Sequence, residues 1–186
     1  MFVDMNVNST NKNISLGELG TESPSLKIRQ LTILQKIFEQ HENSRIRQAF
    51  NLAKIAHEGQ TDKAGVDYIY HPMMVAFQCD GNISAMIVAL LHDVAEDTNL
   101  SVDELREKIS LTAEEFHALN LLTHDEKIPY FDYIQNIKSD ELARQVKIAD
   151  LKHNSDLSRI PAELRTEKDF SRVEKYNQAL KILSSV

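Results

Sequence analysis

Apolar residues recur along this chain at helical spacing, and no segment alternates in the manner of a strand. Leu26, Ile28, Leu31, Leu34, Ile37 and Phe38 form a first stripe behind Ser23-Pro24, which offers an N-cap and a proline at the first helical position. The stripe predicts a helix of about four turns. Ser44 opens a second, with Ile46, Ala49, Phe50, Ala53 and Ala56 on one face and Gly59 as its stop. A polar loop, QTDKAGVDYIY, leads to His71; Pro72 then starts a short helix that Gly81 ends. Ser84 to Leu91 is almost wholly apolar all round, the mark of a helix through the middle of a core, and it runs directly into His92-Asp93-Val94-Ala95-Glu96-Asp97. Two capping boxes follow, Ser101-x-x-Glu104 and Thr112-x-x-Glu115. A longer helix begins near Ser139 and carries Leu142, Val146, Ile148 and Asp150; a last one, after Thr166, has Phe170, Val173, Asn177, Leu180 and Leu183 as its stripe. The pattern predicts an all-α orthogonal array of roughly eight to ten helices. Residues 1–22, rich in Asn, Ser and Thr and without a period, read as a flexible tail, and residues 23–186 as a single domain.

Composition narrows the chemistry. Gly and Pro number only 5 and 4 in 186 residues, which favours helices over a turn-rich sandwich. A net charge of −7 leaves no basic stripe to displace phosphate counterions, so nucleic acid is not expected as a partner. The single cysteine, Cys79, excludes an intrachain disulfide and thiolate metal clusters, and its neighbours Val75, Ala76 and Phe77 make it a core residue. The N-terminus lacks the basic start and apolar core of a signal peptide, and the apolar run from Ala85 to Leu91 is far too short for a bilayer. No membrane association and a cytoplasmic location are expected.

The end of the apolar helix is where charge accumulates. One imidazole and three carboxylates fall within six residues, at a helix end that already carries partial negative charge. Burial sharpens their repulsion and raises carboxylate pKa values, so a positive charge is expected among them; a divalent cation also accounts for the histidine beside the acids. His92 and Glu96 are one turn apart, as are Asp93 and Asp97. Residues 92 and 93 diverge by about 100° and can still converge on one ion, leaving Glu96 and Asp97 on the open side. His71, at a helix entrance, and Asp150, in the apolar run Val146-Lys147-Ile148-Ala149-Asp150-Leu151, are further candidates. Asp150 alone would be costly there, and ion pairing with Lys147 or Lys152 is the alternative to metal ligation.

Together these residues make an H…HD…D pattern that resembles the HD superfamily of metal-dependent phosphohydrolases. The strings AHEGQTDKAGVDYIYHPMMVA, ALLHDVAEDT and VKIADLKHNSDLSRI are similar to successive motifs of the Rel/Spo-type hydrolase domain, whose members remove the 3′-diphosphate of the alarmone (p)ppGpp. The resemblance implies an HD-domain helical array, a small phosphorylated nucleotide as substrate, and one divalent ion, manganese, which iron, cobalt or zinc can replace on the same ligands. It implies His71, His92, Asp93 and Asp150 as metal ligands, and Glu96 and Asp97 as the acids that orient or deprotonate the attacking water. It further implies Lys63 and Asn154 as substrate-binding residues, one on phosphate and one lining the nucleoside pocket.

Some positions depart from that pattern. Asp62 stands where the family has an arginine that stacks on the guanine base, Asp67 where a proline is common, and LKHNSDLSRI where RLHNMRTL is usual. An aspartate cannot stack and repels phosphate, so an HD hydrolase of another phosphoester, such as a 5′-nucleotidase, is the alternative, with a catalytically inactive nucleotide sensor as a third reading. Hydrolysis without synthesis is the expected activity, since no synthetase domain is legible. His57 and His153 read as hydrogen-bonded structural residues, His41, His117 and His124 as surface, and Tyr130, Phe131 and Tyr133 as either a pocket cover or core.

Overall fold

A computed structural model describes residues 24–185, with side chains from residue 29 onward. The tail expected over residues 1–22, the Ser23 cap and the side chains of the stripe positions Leu26 and Ile28 lie outside what is described. Ten α-helices occur among the described residues: α1 (Pro24–Glu39), α2 (Ser44–Ala56), α3 (Tyr70–Gln78), α4 (Ile83–Leu91), α5 (Val94–Asp97), α6 (Val102–Ile109), α7 (Ala113–Leu122), α8 (Tyr130–Lys138), α9 (Glu141–Ser155) and α10 (Glu167–Ser184). Two short 3₁₀ turns, Leu157–Arg159 and Ala162–Leu164, join α9 to α10.

The axis of the array is α4. Asn82 caps it by accepting from the Ala85 amide at 3.1 Å, and every side chain from Ala85 to Leu91 is buried. Helices α2, α3, α7 and α9 surround it, as its uniformly apolar surface requires. Each Leu, Ile or Val withdrawn from water there contributes about 1.5–3 kcal/mol. Helix α9 starts at Asp140, whose carboxylate accepts from the Ala143 amide at 2.7 Å, and it packs on α3, α4, α7, α8 and α10. The described buried apolar residues, Ile160 aside, form one connected core.

Both expected capping boxes are present at Ser101/Glu104 and Thr112/Glu115. Glu115 does more than cap. It is fully buried and accepts from the Thr112 amide at 2.9 Å, from the Ser84 hydroxyl at 2.9 Å and from both Arg45 terminal nitrogens, which ties α7 to α4 and α2.

Helix α2 opens at Ser44 as expected, behind Asn43 as its cap. Three local expectations need correction. Helix α3 begins at Tyr70, so Pro72 sits inside the first turn, where a missing amide costs nothing. Helix α4 does not continue through the acidic run: it stops at Leu91, and Val94–Asp97 is a separate four-residue turn. On α10 the buried line is Asp169, Ala179 and Leu183, with Tyr176 partly buried, while Phe170 is 52% exposed and Asn177 faces solvent. A stripe read from apolar letters alone missed Asp169, which is buried because it has partners.

Candidate metal centre

Three elements deliver the candidate ligands. His71 comes from the first turn of α3, His92 and Asp93 from the break after α4, and Asp150 from the middle of α9. The mutual packing of α3, α4 and α9 brings them together from positions 21 to 79 residues apart along the chain. His71, His92 and Asp150 are buried, and one donor atom of each lies within 4.8 Å of the others, so this trio can hold a metal ion. Asp93 borders the trio, with its Oδ2 at 3.2 Å from His71 Nε2 and its Oδ1 at 3.1 Å from His92 Nε2. Asp150 Oδ1 is 3.3 Å from His71 Nε2 and 3.7 Å from His92 Nε2.

The surroundings set the direction of each donor. His92 Nδ1 lies 2.7 Å from the Ala89 carbonyl and donates to it, which leaves Nε2 as the lone-pair nitrogen. That Nε2 is buried, makes no hydrogen bond and faces two carboxylates. Such an arrangement is repulsive unless a proton or a metal cation lies between, and the imidazole and carboxylate donors suit a divalent transition ion. His71 Nδ1 is 2.7 Å from His153 Nδ1, so the two rings share a proton on that side and His71 presents Nε2 to Asp93 and Asp150. His153 is held neutral, its pKa pushed down to about 2 by burial, then by Arg159 and His71. Tyr68 donates its hydroxyl to Asp93 Oδ2 at 2.8 Å, and Lys147 pairs with Asp150 Oδ2 at 2.9 Å. Asn154 donates to Asp150 Oδ1 at 2.6 Å.

Protonation follows from these contacts. Burial alone would depress His71, but Asp150 and Asp93 outweigh it and raise its pKa to about 9; His92 is raised for the same reason. Burial would raise both aspartates, yet the imidazoles and, at Asp150, Lys147 hold them below the usual carboxylate range. Without a cation the cluster therefore keeps protons on its imidazoles.

Glu96 and Asp97 lie exposed at the rim, on the α5 turn. The Glu96 carboxylate accepts the His124 amide, and desolvation by its surroundings raises its pKa against that bond. The carboxylates of Asp93 and Asp97 both bear on the Tyr68 hydroxyl, whose pKa is driven up chiefly by burial. Gln60, bonded to His57 Nδ1 at 2.8 Å, donates to the Asp97 carbonyl at 3.0 Å and ties α5 to the end of α2.

Lys63 is not brought to the trio. It pairs with Asp169 of α10, which also accepts from Thr166 and from Arg172 at 3.0 Å. Asp62 serves its own backbone. Its Oδ1 accepts the Ala64 and Val66 amides, both at 2.9 Å, and closes the tight turn in which Gly65 takes a φ of +77°. Its Oδ2 faces Arg159 at 3.8 Å. Among the other histidines, His57 and His153 have the hydrogen-bonded roles expected of them, and His117 is exposed. His124 is not a plain surface residue, since its ring packs 4.4 Å from that of Tyr133 and its Nε2 bonds the Ile128 carbonyl at 2.9 Å. Tyr133 is core, with its hydroxyl on the Leu122 carbonyl at 2.6 Å.

Sequence reasoning missed Tyr68 as a partner of Asp93. It lies in the turn just before α3, where the His71 amide donates to the Tyr68 carbonyl at 2.9 Å, so the turn that sets His71 also sets the tyrosine. Lys147, weighed as an alternative to metal ligation at Asp150, instead occupies one carboxylate oxygen while the other faces the imidazoles.

No family model matches the chain. It is 36% identical over 78 residues to the bifunctional (p)ppGpp synthase/hydrolase SpoT of Escherichia coli, a match that spans 40% of this chain and 11% of the relative. It is 36% identical over 94 residues to the guanosine-3′,5′-bis(diphosphate) 3′-pyrophosphohydrolase of Borreliella burgdorferi, across 43% of this chain and 14% of that one. The protein of the same description from Aquifex aeolicus matches at 34% identity over 96 residues, half of this chain and 13% of its own. The chain thus spans about a seventh or less of these curated relatives. Among solved structures it shares the fold of a metazoan ortholog of SpoT described as hydrolysing ppGpp, with a TM-score of 0.64 and 20% identity over 78% of this chain and 89% of that one. The resemblance to the Rel/Spo-type hydrolases therefore holds in sequence over part of the chain and in all-helical fold over most of it. No helix of the described residues is long and apolar enough to cross a membrane.

Proposed function

We propose that this protein is a metal-dependent phosphohydrolase that removes the 3′-diphosphate of (p)ppGpp. The observation that carries the reading is the convergence of His71, His92 and Asp150 on one buried point, with His92 Nε2 bare and aimed at it. The matched relatives carry the nucleotide in their descriptions, and this substrate comes to the chain from them.

In this reading His71, His92, Asp93 and Asp150 hold one ion, manganese by preference. When bound, the ion supplies a Lewis acid against a phosphoryl oxygen. The remaining work belongs to the chain. Glu96, at the rim and with a raised pKa, accepts the proton of the attacking water, and Asp97 orients that water from the same turn. Lys63 takes a substrate phosphate in exchange for Asp169, and Asn154 reaches the nucleoside from the turn of α9 that also steadies Asp150. A cytoplasmic nucleotide pool is the matching location.

A second reading keeps the chemistry and changes the nucleotide. Asp62 is committed to its own turn and to Arg159, so the base is read by a different set of groups from the stacking arginine of the Rel/Spo-type hydrolases. One experiment separates the two: measure the metal content of purified protein, then assay a nucleotide panel for released pyrophosphate and phosphate separately. Pyrophosphate from (p)ppGpp is the expected result. Phosphate from nucleoside monophosphates alone would favour the second reading, and no turnover with manganese, iron, cobalt or zinc would overturn both.

A further inference from the structure

The candidate centre carries more negative charge than one divalent cation balances. Asp93 and Asp150 lie in it, and Glu96 and Asp97 lie at its rim. Both imidazoles must be neutral to bind a metal ion. Four carboxylates against a dication leave a net negative site facing a negative phosphate. One further cation is built into this layer. Lys147 lies one turn before Asp150 on α9, with its Nζ at 2.9 Å from Asp150 Oδ2 and 14% of its side chain in contact with solvent. The Tyr133 ring lies 5.4 Å from the ammonium. Glu96 also feels the ammonium, so the cation acts on both the ligand and the rim. Because Lys147 occupies Oδ2, the oxygen of Asp150 that faces His71 and His92 is Oδ1.

We propose that Lys147 is an electrostatic residue of this centre: its ammonium, paired with the outer oxygen of Asp150, offsets one carboxylate charge, so that a multiply anionic phosphoryl group is admitted. The phosphoryl half of this statement rests on the phosphohydrolase reading above. Its physical signature is a pair of opposite effects. A fixed cation attracts phosphate but repels the metal ion, so its removal strengthens metal binding and weakens anion binding. A side chain that merely props Asp150 would, on removal, weaken both.

The test uses Lys147→Met, which keeps the apolar stem, and Lys147→Arg, which keeps the charge. Each full-length protein is stripped with chelator and titrated calorimetrically with Mn²⁺; the Mn²⁺-loaded form is then titrated with inorganic pyrophosphate. Lys147→Met is expected to bind Mn²⁺ roughly tenfold more tightly and pyrophosphate roughly tenfold more weakly, while Lys147→Arg stays within about threefold of the parent on both. Weaker Mn²⁺ binding in Lys147→Met, or unchanged pyrophosphate binding, overturns the proposal. Should Lys147→Met fail to fold by thermal melting, Lys147→Gln carries the same expectation. Neither affinity requires turnover, so an inactive parent protein would sink the phosphohydrolase reading while the two titrations still decide the role of Lys147.

Discussion

Two buried carboxylate clusters in this molecule are built in opposite ways. Around Glu115 the charge is closed: Arg45, Ser84 and the Thr112 amide together occupy both carboxylate oxygens, and the group joins three helices. Around Asp150 the cluster is open. Lys147 serves its outer oxygen and Asn154 its inner one, but two imidazole nitrogens also turn toward that inner oxygen, and His92 Nε2 has no hydrogen bond. Buried polar groups in a finished core are satisfied by protein atoms. The contrast therefore lies at the imidazoles: the Glu115 cluster is complete, whereas the Asp150 cluster leaves a buried histidine nitrogen for the proposed metal ion, although both carboxylates have pKa values below the usual range.

The largest expected effect breaks the open cluster. Asp150→Ala should lose bound metal and reduce turnover by about a hundred- to a thousandfold or more, measured by metal analysis and steady-state assay, with helical circular dichroism retained. Normal metal content would overturn the site. Glu115→Ala should do the reverse. It leaves metal content intact but destabilises the fold by about 2–4 kcal/mol in urea unfolding, less than a fully buried pair because Arg45 is 34% exposed. Burial raises the Glu115 pKa, but Arg45, Thr112 and Ser84 outweigh it and the net shift is downward. Its contribution is therefore full above the ordinary value of 4.5 and is lost as pH falls through the lower folded value, so the parent should lose its excess stability over Glu115→Gln in acid.

Smaller effects sharpen the comparison. Tyr68→Phe, which removes only the hydroxyl on Asp93 Oδ2, should weaken Mn²⁺ binding about tenfold with little change in melting temperature. Unchanged affinity would show that Tyr68 only fills space. Titration by pH should distinguish the clusters as well. His71 is raised from 6.5 to about 9, so in the metal-free protein its stabilising interaction is complete below 6.5 and lost as pH rises through 9. A metal ion must displace that proton, so Mn²⁺ affinity should climb with pH and level off near 9. A calorimetric affinity flat across this range would contradict the protonated cluster.

Much of this was legible in one dimension. The helical period of the apolar residues predicted the all-α array, because burial of one stripe per helix is a local demand; the capping boxes located the starts of α6 and α7 for the same reason. The crowding of charge after an all-apolar helix pointed to His92 and Asp93, since the cost of burying like charges can be read from neighbours in the chain. His71 and Asp150 were reachable only through the motif pattern. Their encounter depends on how α3, α4 and α9 cross, and no local rule encodes a crossing.

The rest was decided in three dimensions. Only the packed molecule assigns Tyr68 to Asp93, Lys147 to the outer oxygen of Asp150, and Asp169 to Lys63, because each contact depends on which side chains a particular packing leaves within hydrogen-bond reach. It also decided that Asp62 folds its own turn and that Glu115 has its partners while His92 Nε2, beside Asp150, has none. Spacing determined which residues are candidates for the chemistry; tertiary contact determined which partners each buried carboxylate and imidazole has, because desolvation and pairing are properties of a site and not of a sequence position.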